Sequence, residues 1–213
     1  MGANSSVSWS RWLEDLPCAA PRSKSMWPTS RRTVDRPGPH AVFSFGSNGV
    51  AQLRSRVDND SLSAVKAVLP DAMRCFGGYS ERWSGAVATV VPMPGHVVRG
   101  SVAWLSTEEL LKLDRFEATN KADPYSSEGC VYHRQDVSVL LGDEQAPIPI
   151  PATMYIKVDT TWHGPPSTAY KQACFANVSE FWDGAVVEVR NVEGEMMQDP
   201  YHGPEKIDGR KPR

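Results

Sequence analysis

The sequence predicts an α+β fold: a mostly antiparallel curled sheet or small β-barrel flanked by two or three α-helices. Two observations carry this. The apolar segments from Ala41 onward are short, rich in valine and separated by turn residues, so strand follows strand without the long helical crossovers of a parallel sheet. Helical periodicity is confined to two stretches, one ending at Glu117 and one opening after Ser167. With 213 residues, 40% of them hydrophobic, the chain can bury one sizeable core, and no internal repeat divides it.

Residues 1–40 differ in character from the rest. They are rich in Ser, Arg and Pro, hold no sustained period and close on Arg36-Pro37-Gly38-Pro39-His40, a boundary signal. They read as a flexible N-terminal extension, with residues 41–192 as the folded domain and 193–213 as a tail rich in Gly, Pro and charge. Trp9, Trp12 and Trp27 are unusual for a pure linker. Met1-Gly2-Ala3-Asn4-Ser5-Ser6 fits the N-myristoylation pattern at Gly2. Arg11, Arg22, Arg31, Arg32 and Arg36 have a transit-peptide character, against which Glu14 and Asp15 argue.

Charge and composition exclude several classes. A net charge of −2 gives no electrostatic reason to expect nucleic acid. No apolar run reaches the roughly 20 residues of a membrane span. The four cysteines lie far apart without a Cys-x-x-Cys pair, and the five histidines share no ligand-like spacing. Neither a metal site nor a disulfide framework is expected. Free thiols suit a reducing compartment, and a cytoplasmic location is the expectation.

Each element has a local reason. Ala41–Phe45 is a short buried strand, and Gly46-Ser47-Asn48-Gly49 turns the chain at its end. Gly and Asn tolerate positive φ, and successive N–H groups in such a turn can converge on one anion. A plain strand-to-loop turn is the simpler alternative. Leu62–Leu69 is a weak apolar segment closed by Pro70. Gly85–Val91 and Val97–Leu105 read as a hairpin turning through Pro92-Met93-Pro94-Gly95. After a polar loop at Thr119–Glu128, Val131–Leu141 alternates as a partly exposed strand. Asp143–Pro151 is a proline-rich connection and Ala152–Val158 a further strand. Ser167 caps a helix whose apolar face holds Tyr170, Cys174, Asn177, Val178 and Phe181. Ala185–Val192 is a last strand or extension.

The stretch Trp104–Ala118 carries the chemistry. Ser106 with Glu109 three residues on forms a capping box, and Leu110, Leu113 and Glu117 then share one helical stripe. A carboxylate placed on a core-facing stripe is a candidate proton shuttle. The alternative is a helix-end acid that reaches solvent or an arginine.

At this point the residues resemble a family. Phe43-Ser44-Phe45-Gly46-Ser47-Asn48 resembles the loop near the start of the gamma-glutamylcyclotransferase (AIG2-like) family, which usually reads Tyr-Gly-Ser-Asn. Trp83–Gly95 is similar to its Trp-x-Gly-Gly-x-Ala-Thr segment, and Gly100–Trp104 to its returning strand. Leu113-Asp114-Arg115-Phe116-Glu117 is similar to its Leu-Asp-x-x-Glu, whose glutamate is the family's acid/base. Tyr132-x-Arg134 and Pro166-Ser167-x-x-Tyr170 follow in family order. The chain departs from the pattern at Phe45, which replaces the loop tyrosine, at Ala118, which replaces a glycine, and in the long loop Thr119–Glu128.

The resemblance implies release of 5-oxoproline from gamma-glutamyl compounds by intramolecular attack of the α-amine on the γ-carbonyl. Glu117 would be the general acid/base. Phe45, Gly46, Ser47, Asn48, Gly49, Tyr132 and Tyr170 would form the substrate site, with the turn's N–H groups on an oxyanion or the α-carboxylate. No metal or cofactor is called for, the partner is a small gamma-glutamyl substrate, and a homodimer is allowed. The alternative is a protein of the same fold that binds a gamma-glutamyl or other small acidic ligand without turnover.

Overall fold

The computed structural model describes residues 39–142 and 147–197. The expectations at Gly2 and the N-terminal tryptophans, and most of the C-terminal tail, lie outside the described residues. Strand β1 spans His40–Ser44, helix α1 Val50–Val57, β2 Ala64–Ser80, β3 Gly85–Leu105, α2 Thr107–Glu117, β4 Tyr132–Leu141, β5 Ile148–Lys157 and α3 Thr168–Ser179. The strands close a barrel in the order β1-β3-β2-β4-β5. Every neighbouring pair is antiparallel except the closure, where β1 meets β5 in parallel at Val42↔Thr153.

The β2–β3 pair corrects the sequence reading. Pro70 does not end its strand, and Gly85–Val91 and Val97–Leu105 do not pair with each other. They are the two halves of β3, and each pairs with β2, as at Val91↔Met73 and Val97↔Pro70. The prolines are tolerated because they flank an interruption in the ladder, where no amide donor is required. There Asp71, with φ of 51°, stands opposite the excursion 93–96, and its carboxylate accepts the Gly95 N–H at 3.0 Å. Likewise β5 begins at Ile148 rather than Ala152, taking in Pro149 and Pro151. Its one register pair with β1 comes later, at Thr153, so this proline-bearing start is bound on the β4 side alone.

Helix α1 is the element the sequence reading passed over. Val50, Leu53 and Val57 are its buried stripe, and Leu53 and Val57 join Leu110 and Leu113 of α2, with Val42 and Leu105, in one apolar cluster separate from that of the barrel. The larger cluster fills the barrel and its cover: Phe43, Phe76, Val102, Val139 and Met154 pack with Tyr170, Cys174 and Val178 of α3. Helix α2 has the expected capping box, with Ser106 Oγ accepting from Glu109 N–H and the Glu109 carboxylate accepting from Ser106 N–H. Helix α3 is capped by Ser167, and Phe181 falls beyond its end. The segment 185–189 alternates buried Ala185, Val187 and Val189 with exposed neighbours, but it is an extension, joined to the sheet where Phe76 N–H donates to Arg190 carbonyl at 2.8 Å. Close approach of β1 to β3 requires a glycine at Gly100, where a Cβ would stand 2.3 Å from the Ser44 carbonyl oxygen.

Candidate active site

A cavity of about 260 Å³ opens where the end of β1, the end of α2 and the start of α3 meet. Its most ordered feature is a ring of hydrogen bonds around Glu117. Only 6% of Glu117 is exposed, as the stripe of α2 predicts. Asn48 Nδ2 donates to its Oε1 at 2.9 Å and Arg56 Nη1 donates to the same oxygen at 2.5 Å. Arg56 Nη1 also donates to Asn48 Oδ1 at 2.8 Å, so the three side chains hold one another. Oε1 is therefore fully engaged, whereas no described residue bonds Oε2. The Arg56 guanidinium and the Glu117 carboxylate thus form a largely buried ion pair. Arg56 in turn lies over the Phe116 ring, 5.7 Å from its centroid.

Beneath this ring is a second, fully buried one. Asp114, one turn before Glu117, accepts from Arg134 Nε at 2.8 Å, from Arg134 Nη2, and from Tyr155 Oη at 2.8 Å. A forked guanidinium–carboxylate pair fixes direction as well as distance, so β4 and β5 lock the last turn of α2 in place. Burial raises the Tyr155 hydroxyl well above its ordinary range, and the Asp114 charge adds to this. It acts as a neutral donor. After Glu117 the helix closes on Ala118 in the left-handed conformation, φ 50° and ψ 50°.

The turn after β1 differs in detail from expectation. Gly46, Ser47 and Asn48 line the cavity, and Phe45 belongs both to its wall and to the barrel core. Gly49 does not line it. Its N–H donates to Ser47 carbonyl at 2.8 Å, and it is the N-cap of α1 in extended conformation, so it is lost to any anion. Nor does positive φ explain the glycine at 46. Space does: a Cβ there would stand 3.3 Å from both Ala88 Cβ and Tyr170 Oη. From the far side, Asn177 of α3 donates to the Gly46 carbonyl at 2.8 Å.

Tyr132 and Tyr170 both reach the cavity. Tyr170 Oη accepts the Ala88 N–H at 3.0 Å and bonds the Ser47 side chain, and Trp83 meets its ring edge-on at 5.0 Å. Burial raises the Tyr132 hydroxyl, with the Glu117 charge second, so it too stays neutral. The lining residues that sequence reasoning did not place in the site include Arg56, Arg82, Trp83, Phe116 and Tyr155. Arg56 was within reach: Val50, Leu53 and Val57 fall at i, i+3 and i+7, and a helix drawn through them puts Arg56 on the same side as Gln52. Among the described residues no group of three or more His, Cys, Asp or Glu side chains is arranged to hold a metal ion. None of their helices is long and apolar enough to cross a membrane.

A small closed barrel thus carries a cavity walled by a glycine-containing turn and by the buried, arginine-held carboxylate of Glu117. The sequence model described as gamma-glutamyl cyclotransferase, AIG2-like, matches residues 42–172, and the chain belongs to that family. Among solved structures it is similar to one titled gamma-glutamyl cyclotransferase, at 23% identity and a TM-score of 0.58, over 75% of this chain and 94% of that one. It is also similar to a human protein titled uncharacterized, at 24% identity and a TM-score of 0.57, with the same coverage. A third likeness is to YkqA from Bacillus subtilis, at 17% identity and a TM-score of 0.54, over 68% of this chain and 50% of that one. At these identities the structures establish the fold. No curated protein sequence matches the chain.

Proposed function

We propose that this protein is a gamma-glutamylcyclotransferase, releasing 5-oxoproline and a free amine or amino acid from gamma-glutamyl compounds. The observation that carries the reading is the state of Glu117: buried, held through Oε1 by Asn48 and Arg56, and left with Oε2 unengaged in the cavity. The substrate's α-ammonium gives a proton to that oxygen, and the freed amine attacks the γ-carbonyl carbon. The electron pair of the carbonyl becomes an oxyanion, to which the turn Gly46-Ser47-Asn48 in the cavity wall would offer backbone N–H donors. Collapse breaks the bond to the leaving nitrogen, which takes the proton from Glu117, and the ring nitrogen passes its remaining extra proton to the departing amine, giving neutral lactam and an ammonium product. Because attack is intramolecular, the cavity's main task is to hold the substrate folded for ring closure.

One observation favours a second reading, binding of a small gamma-glutamyl or similar acid without turnover. The Arg56 guanidinium sits on carboxylate oxygen Oε1 at 2.5 Å, the arrangement of a structural ion pair. A panel of gamma-glutamyl dipeptides, gamma-glutamylamines and glutathione separates the two. Release of 5-oxoproline from at least one member supports the enzyme, and saturable binding with no release from any supports the second reading.

A further inference from the structure

A second cleft, of about 220 Å³, shares no residue with the first. It lies at the interruption of the β2–β3 ladder and is roofed by the extension 184–190. Three arginines face it: Arg74 from β2, Arg99 from β3 and Arg190 from the extension, with His96 at the rim. Arg190 is neutralised, its Nε donating to Glu188 at 2.8 Å. The other two are not. Arg74 Nη2 donates to the Arg99 carbonyl, an uncharged acceptor, and Arg99 stacks over Trp182 at 5.4 Å. No described carboxylate pairs with either guanidinium, and the Nε of each is sealed from solvent without a hydrogen-bond partner. Burial holds Arg74 below the ordinary arginine range.

Two half-buried guanidinium groups that line one cleft without a carboxylate partner are costly, since buried charges are ordinarily paired. Their forked donors match the oxygens of phosphate. We propose that the cleft between Arg74 and Arg99 is a binding site for a dianionic tetrahedral oxyanion, either inorganic phosphate or the terminal phosphate of a small monoester. The anion supplies the counter-charge that no described carboxylate gives Arg74 and Arg99. The site stands apart from the carboxylate of Glu117 and does not depend on the reaction assigned to it.

The full chain is titrated with sodium phosphate, and separately with glycerol phosphate, against sodium chloride at matched ionic strength. Thermal midpoint and calorimetry are the readouts. The expected result is a saturable rise in midpoint with phosphate beyond that with chloride, and one site per chain. In Arg74→Met and Arg99→Gln the affinity falls at least about tenfold, the usual worth of a charged hydrogen bond. Arg74→Met also melts above the parent in phosphate-free buffer, because an unpaired buried charge has gone. Equal or tighter binding of glycerol phosphate identifies a monoester site, and binding of phosphate alone identifies the free anion. No response beyond chloride, or an undiminished response in the variants, overturns the proposal. If Arg74→Met does not fold, Arg99→Gln on its own decides.

Discussion

Asn48 and Glu117 lie 69 residues apart in the chain and are joined by a hydrogen bond of 2.9 Å, from amide nitrogen to carboxylate oxygen. The bond links the turn after β1 to the end of α2, so the loop and the acid of this family are parts of one side-chain assembly. Under the proposed reaction this gives the Asn48 side chain a task of its own: fixing which carboxylate oxygen is engaged and which is left for the substrate.

Asn48→Ala should therefore act as a positioning change. The amide that holds Oε1 is lost, while the N–H groups of the turn remain. Turnover on the best gamma-glutamyl substrate should fall by about 10- to 100-fold, as for a misplaced catalytic group, with a smaller change in KM. Steady-state kinetics checks it. An effect on KM alone would make Asn48 a binding residue only.

Arg56→Met should be costly to stability. Arg56 and Glu117 side chains are 12% and 7% exposed, and removing the cation leaves a buried carboxylate without its counter-charge, worth about 3–5 kcal/mol. In the Glu117→Gln background the same substitution should cost much less, because no charge is left unpaired. A double-mutant cycle from urea unfolding measures the difference directly. Equal costs in the two backgrounds would mean that the pair contributes only packing.

The site's legibility in the sequence follows the range of the interactions that build it. The end of α2 could be placed from Ser106, Glu109, Leu110 and Leu113 because capping and helical periodicity are local. The same holds for Ser167 and α3. Arg56 was missed because α1 is short and its N-cap, Gly49, makes no side-chain cap bond. The prolines misled in the sheet: Pro70, Pro92 and Pro151 read as ends, but the ladder tolerates each where a register shift or a one-sided strand leaves no amide donor required. Glu117 was legible as an inward acid. Its pairing with Arg56 was not, since a contact across 61 residues leaves no spacing to read.

Ala118→Gly should stabilise the protein. Ala118 holds φ 50° and ψ 50°, a left-handed conformation that costs an L-residue about 1–2 kcal/mol and glycine almost nothing. Glycine's greater freedom in the unfolded chain takes back part of this, leaving a gain of roughly 0.5–1 kcal/mol. Thermal and urea unfolding would show it, and a loss of stability would mean that the Ala118 methyl packs in the cavity wall.

Stability should also weaken on the acid side of neutrality. Burial lowers the pKa of His133, and burial with the Arg134 charge lowers that of His40, from the ordinary 6.5. Both are bases depressed in the folded state, so the unfolded chain takes up protons first. Their contribution is complete above the unfolded pKa and is lost as pH falls through the folded one. His133 Nδ1 is buried without a partner, so a proton there has no acceptor. Urea midpoints should drop between about pH 7 and pH 5, and the drop should be smaller in His133→Gln. An equal drop in the variant would move the cause elsewhere.

The decisive substitution is Glu117→Gln. The amide keeps the size of the side chain, and its carbonyl oxygen can still accept from Asn48 and Arg56, so the ring of bonds around position 117 can persist. What is lost is the capacity to take a proton from the substrate's ammonium and return it to the leaving nitrogen. If Glu117 is the shuttle, 5-oxoproline release should fall by about 10²–10⁴, the usual worth of general acid–base catalysis. Affinity should change little, because the turn Gly46-Ser47-Asn48 in the cavity wall is untouched. Stability should fall modestly, since Arg56 loses the charge of its partner while keeping a hydrogen-bond acceptor. A purely structural glutamate gives the opposite pattern: the same loss of stability with turnover nearly intact. Rate, affinity and unfolding measured on one preparation therefore separate the two roles, and near-normal release of 5-oxoproline by folded Glu117→Gln protein would remove Glu117 from the chemistry.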